Sequence, residues 1–384
     1  MYNTDSDPSA SMRSFRLDGK MIRYSAFVPK LYNMCKSLGF IQGKILPSRA
    51  LCSDESQGYP IILIAKHFNV FPFNHGRVGG IVATDRHGPH AEHGQDLVII
   101  QASHVGYDPE GGVYGSYTRL QTHGCQSTSN CGKVDAVLSW YIHEYEFARN
   151  HIMVSRDNNE WLVMIDNLYL DDRREQGLFL ALEKLIGLND QGKPELLYTC
   201  STANCFRASA EFAAVLEKTP PTSTTAQPIG DFLSADKFFF RRPVNTTEEG
   251  HEHLENNLLP VMSWILTSPS PLLAAAKVNT QVEFDRTYRS IIHEPSYRNK
   301  RLLLISGLNI DISPKPGQLF PLTKFIPWAA YLQQPDSDYQ IYEQDDLYSK
   351  LMEQSAENPD QTDLEAAIRV MMDTEEVILP SEYS

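Results

Sequence analysis

The stretch Asp96-Leu97-Val98-Ile99-Ile100-Gln101-Ala102, DLVIIQA, decides the fold. It is short and densely apolar, without the alternation of a strand wetted on one side, so it predicts a strand buried on both faces. His104 follows in ASHVG and is expected at the C-terminal end of that strand. Upstream, Lys44-Ile45-Leu46 and Ala50-Leu51-Cys52 outline a second strand. Cys52 then falls at or just after a strand's C-terminal end, where open α/β sheets gather their ligands. Ser53 or Asp54 is placed to cap a following helix through Ile61–Phe68, with Pro60 tolerated only near its start. Buried strands alternating with helical segments predict an α/β fold, a central mixed β-sheet flanked by helices.

Further out, Phe27 opens a helix-like segment. Gly76-Arg77-Val78-Gly79-Gly80 forms a turn-rich loop before a short strand at Ile81–Ala83, and Asp85–Gly94 is a polar loop. Asp108–Gly115 predicts a hairpin or tight turn. In Lys133–Arg149, the residues Val134, Val137, Leu138, Tyr141, Ile142 and Tyr145 recur at spacings of three and four, one face of a helix. Ser129 or Asn130 is its natural N-cap, so Cys131 lies at a helix N-terminus, where the backbone dipole favours a thiolate. Beyond it the pattern predicts a strand at Trp161–Ile165, a helix at Gln176–Leu188, a Thr/Pro-rich surface insertion at Thr219–Pro228 and a long amphipathic helix from Glu248 to Leu266. A strand at Arg301–Ser306 ends in Gly307, and Leu319–Pro327 follows a Pro/Gly turn. Three regions result: an N-terminal arm over residues 1–20, one domain over 21–334 with 151–245 its hardest part to read, and an acidic segment over 335–384 that contains a helix at Asp363–Met372.

The chain has 384 residues, 42% of them hydrophobic and 21% charged, as in soluble globular proteins. Its net charge of −14 is uneven: from Pro335 onward fourteen acids face only Lys350 and Arg369, leaving the body close to neutral. No basic face remains to neutralise phosphates, which argues against nucleic-acid binding. Neither a signal peptide nor a membrane-spanning run is apparent. The six cysteines are irregularly spaced, which does not describe a disulfide framework and fits a reducing cytoplasm with thiols available to a metal.

Cys52, His104 and Cys131 together offer two thiolates and an imidazole, which leave a zinc ion one open position, the arrangement of a catalytic zinc. Asp54, two residues from the first thiolate, is placed to hold a water there by hydrogen bond. Each choice has a competitor. A lone cysteine is more often a small core hydrophobe, His104 could be a core histidine at a strand end, and Cys125 competes with Cys131 but lacks the following Gly and helix start. His87, His90 and His93 lie in a Gly/Pro loop and are candidates for a proton shuttle, although such spacing more often marks a solvated loop. Two other function classes fit the same residues: a catalytically silent zinc-binding interaction protein, and a thiol enzyme with Cys52 as nucleophile and His104 as base.

The segment CSDES at Cys52–Ser56 resembles the Cys-x-Asp signature of β-class carbonic anhydrases. With Pro72-Phe73, the Gly76–Gly79 loop, LVIIQASHVG, Cys131-Gly132, LLLISGLNIDIS and LFPLTKF, the chain resembles the limiting-CO2-inducible protein B family (theta-class) over roughly residues 30–330. That resemblance implies a β-carbonic-anhydrase-like fold and zinc-dependent reversible hydration of CO2 to bicarbonate by metal-bound hydroxide. It also implies Cys52, His104 and Cys131 as metal ligands, Asp54 as the acid of an Asp–Arg dyad, and a homodimer. The dyad's arginine in β-class enzymes stands two residues after the Asp, which here is Ser56. Arg77 is the substitute, with Arg49 in reserve. Phe73 and Val105 are candidates for a small apolar CO2 pocket.

Overall fold

The computed structural model describes residues 12–77, 80, 96–119, 127–218, 225–243, 251–335 and 338–376. The expected strand at 81–83, the loop 85–94 with its three histidines, Cys125 and most of the 219–228 insertion lie outside them. Two compact units are present, one formed by Leu17–His104 with Glu283–Ser384, the other by Met1–Arg16 with Val105–Val282.

In chain order the elements that lie wholly or, for β4 and α3, partly in the first unit are β1 (Ile22–Arg23), α1 (Tyr24–Ser37), β2 (Ile45–Ala50), α2 (Gly58–Phe68), β3 (Phe73–Asn74), β4 (Asp96–Asp108), α3 (Pro271–His293), β5 (Leu302–Ile312), β6 (Leu322–Gln333), β7 (Gln340–Tyr342) and α4 (Gln344–Glu353). The sheet runs β1–β6–β5–β4–β2–β3, with β7 added on β6. It is mixed as expected: β2 pairs parallel with β3 and β4, whereas β6 pairs antiparallel with β1, β5 and β7.

Both faces are covered, which is why β4 reads as an unbroken apolar run. Val98, Ile100 and Ala102 pack with Leu303, Ile305, Phe325, Ala330 and Leu332 beneath Phe27, Leu31, Leu63 and Ile64 of α1 and α2. Leu97 and Ile99 face the other way, with Leu302, Leu304 and Tyr331 against Phe284 and Ile291 of α3. Burying one such Ile or Leu contributes about 1.5–3 kcal/mol relative to leaving it exposed. In β6 one extra residue, Trp328, falls between the partners of Ser306 and Gly307. That bulge flips the alternation, so Phe325 and Thr323 share a face with Ala330 and Leu332. A Cβ on Gly307 would lie 2.4 Å from both Ile326 O and the Phe325 ring, so only glycine fits beneath that ring.

Several boundaries differ from the sequence reading. β4 continues to Asp108, so His104 lies within the strand rather than at its end. β5 passes through Gly307 to Ile312, and β6 passes through Pro327 at the bulge. The helix expected at Gln176–Leu188 is instead a strand, Gly177–Leu180, and a single turn, Leu182–Leu185. Pairing of Leu178–Leu180 with Phe238–Phe240 overrides the local helical pattern. The long helix from Glu248 is two, His251–Leu258 and Met262–Leu266, parted by a 3-10 turn at Leu259–Val261. Pro260 in that turn has no N–H to continue an α-helix. The acidic segment contributes β7 and α4, whose Leu347 and Leu351 are fully buried, and the expected helix at its end spans Leu364–Met372.

The second unit carries the helix Gly132–His151 and a five-stranded sheet that includes the expected strand, Glu160–Asp166. Among the described residues no helix is long and apolar enough to cross a membrane.

Candidate metal centre

Cys52 stands two residues past the end of β2, whose Ala50 is the parallel partner of Gln101 on β4. This pairing carries Cys52 to the level of His104. On the far side of His104 along the same strand, Gly106 is the anchor for Cys131. Gly106 N donates to Asn130 O at 2.8 Å, Gly115 N to Gly106 O at 2.8 Å, and Asn130 N to Gly115 O at 3.0 Å. A Cβ on Gly106 would come within 2.8 Å of Ser116 O, so the close approach requires glycine. Cys131 itself, with φ −81° and ψ 128°, is the N-cap of the helix Gly132–His151, in place of the Ser129 or Asn130 cap expected. Its thiol is therefore at the positive end of a helix dipole.

The ligand atoms of Cys52, His104 and Cys131 all lie within 4.8 Å of one another, and all three residues are buried. Ligands about 2.0–2.3 Å from a tetrahedral ion stand roughly 3.3–3.8 Å apart, so such a set can close on a common centre. The donor chemistry, two thiols and one imidazole, fits a zinc-type ion. These residues could hold a metal ion.

One residue of the site had no role in the sequence reading: Asp311 of β5. Its carboxylate is fully buried and meets His104 Nδ1 at 2.9 Å through Oδ2. The same oxygen accepts from Ser56 Oγ at 2.9 Å and Gln57 Nε2 at 2.7 Å, while Oδ1 accepts from Thr323 Oγ1 at 3.0 Å. Asn309 Nδ2 donates to Gln57 Oε1 at 2.7 Å. A signal was present in the sequence. Asn309 and Asp311 alternate with Leu308 and Ile310 in a buried strand, and a charge in such a place requires partners.

Asp54 is half-buried and caps the 3-10 turn Glu55–Gln57, its Oδ1 accepting from Ser56 N at 3.0 Å. This turn leads directly into α2. Arg77 has an exposed side chain, its carbonyl accepting from Gly80 N at 3.1 Å, and among the described residues no ion pair joins Arg77 to Asp54. Arg49, the reserve, is half-buried on β2 and its carbonyl accepts from both His75 N and Gly76 N. Val105 is buried and Phe73 exposed.

No family model and no curated protein matches the chain. Among solved structures it is similar to that of PtLCIB4, a homolog of the limiting CO2-inducible protein LCIB, with a TM-score of 0.50 and 10% identity over 88% of this chain and 99% of that one. The crystal structure of limiting CO2-inducible protein LCIB gives a TM-score of 0.43 at 12% identity, over 88% and 99% of the two chains. At this identity the likeness to PtLCIB4 establishes a shared fold.

Proposed function

We propose that the protein belongs to the limiting-CO2-inducible protein B family with a β-carbonic-anhydrase-like fold, binds Zn2+ through Cys52, His104 and Cys131, and catalyses the reversible hydration of CO2 to bicarbonate. The observation that carries this reading is the buried convergence of two thiols and an imidazole from three separate parts of the chain. Zinc bound there would supply a Lewis acid that acidifies a bound water, less strongly than an all-histidine site because two thiolates cancel its charge.

The chain's own residues do the rest. Asp54, its carboxyl oriented by the Ser56 amide, accepts a hydrogen bond from the attacking water and so aims the oxygen lone pair at the carbon of CO2. Bicarbonate leaves, and one proton per turnover passes to buffer. Arg77 is assigned to keep Asp54 ionised. A homodimer in the cytoplasm completes the reading.

The exposed position of Arg77 favours a second reading, a catalytically silent zinc protein of the same fold. Stopped-flow CO2 hydration with a pH indicator, on protein shown to contain one zinc per chain, separates the two. Catalysis supports the first, and zinc without catalysis supports the second. Asp54→Ala should retain zinc yet slow hydration greatly. Full activity in that variant removes the role given to Asp54. Cys52 that is alkylated readily, with no metal to lose, would point instead to thiol chemistry.

A further inference from the structure

We propose that Asp311 is the positioning residue of the metal centre, fixing His104 in the tautomer that offers Nε2 to the ion. This rests on the metal-binding reading above and adds a residue 207 positions away from the ligand it controls.

A carboxylate with no exposure must be ionised and satisfied, or protonated. Asp311 is surrounded by donors. Ser56 and Thr323 offer hydroxyls and Gln57 an amide N–H, at 2.9, 3.0 and 2.7 Å. A carboxylate can only accept, so Gln57 turns Nε2 toward it, and Gln57 Oε1 is then left to take the 2.7 Å bond from Asn309 Nδ2. The amide orientations are thus mutually determined. His104 Nδ1, at 2.9 Å from the same carboxylate oxygen, must likewise be a donor. The ring proton is therefore on Nδ1, and the lone pair of Nε2 is the ligating one.

Holding the ring this way removes two freedoms, tautomer and rotation, that would otherwise be lost at the moment of binding. The carboxylate also raises the basicity of the opposite nitrogen. The sheet enforces the geometry: Asp311 and Thr323 are cross-strand partners, and the Trp328 bulge puts Thr323 on the correct face. Ser56 and Gln57 enter from the 3-10 turn that Asp54 caps.

The test compares wild type with Asp311→Asn. Zinc affinity is measured by competition with a chromogenic chelator, and the His104 tautomer of the metal-free protein by 15N-edited NMR. Asp311→Asn should bind zinc about 10–100-fold more weakly, and His104 should shift from one Nδ1–H form to a mixture. Unchanged affinity, or an unchanged tautomer, in a folded variant overturns the proposal. Should Asp311→Asn not fold, Gln57→Leu decides by the same two readouts, with a smaller loss expected and no change overturning it. Wild type that binds no zinc fails the metal reading itself, and this proposal with it. Tight wild-type binding with an equally tight variant fails only the role of Asp311.

Discussion

Replacing Gly76 with Ala tests whether the loop after β3 holds the Cys52 end of β2 in place. A Cβ at residue 76 would lie 2.0 Å from Leu51 O, 2.7 Å from Leu51 N and 2.9 Å from Leu51 C. These are backbone atoms, which cannot rotate away, and the contact needs about 1 Å more room. His75 N and Gly76 N both donate to Arg49 O, at 2.8 and 3.1 Å. Opening the loop by that amount takes both bonds out of range. Overpacking of about 1–3 kcal/mol and two weakened bonds of about 0.5–1.5 kcal/mol each give a loss of roughly 2–6 kcal/mol. The residue displaced immediately precedes Cys52, so zinc affinity should fall although no ligand has changed. The assay is urea denaturation of the metal-free protein, followed by chelator competition for zinc. Gly132→Ala is the control, one residue from Cys131. There, among the described residues outside its own helix, a new Cβ would come no closer than 4.0 Å, to Ser129 Oγ, so the substitution should be neutral or stabilising by up to about 1 kcal/mol. Wild-type stability and zinc affinity in Gly76→Ala would refute the steric reasoning.

Cys52→Ser and Cys131→Ser should each reduce zinc to well below one per chain by elemental analysis, and a full equivalent retained in both would refute the ligand set. Acid should also destabilise the metal-free protein through two buried histidines. Burial brings the pKa of His75 down to about 3, and burial, with the charge of Lys66, brings His67 to about 4. Both are neutral when folded, while the unfolded chain takes up their protons below about pH 6.5. Their stability is thus complete above that pH and is lost as pH falls from about 6.5 toward 4, by up to roughly 2.7 kcal/mol per pH unit for the pair. Denaturant titrations across that range check it: His75→Gln should remove about half of this contribution to the slope, and an unchanged slope would contradict it.

Much of the candidate centre was legible because each candidate ligand advertises its own local context. Cys52 follows an apolar run, His104 belongs to the densest strand in the chain, and Cys131 precedes a helical repeat. Local periodicity records which face of an element is apolar, and DLVIIQA needed no partner to be read as doubly buried. The failures share one cause. Gly177–Leu180 is a strand because Phe238–Phe240 pairs with it, and β6 survives Pro327 because a bulge falls there. Neither fact is local.

The sequence alone determined the fold class and the identity of the three candidate ligands, since side-chain chemistry and near-neighbour patterning are written in order along the chain. Tertiary structure alone decided that these ligands meet, that Asp54 caps a turn, and that Asp311 grips His104. Strand register and the pairing of distant residues are set by packing summed over the whole sheet, and no short window of sequence contains that sum.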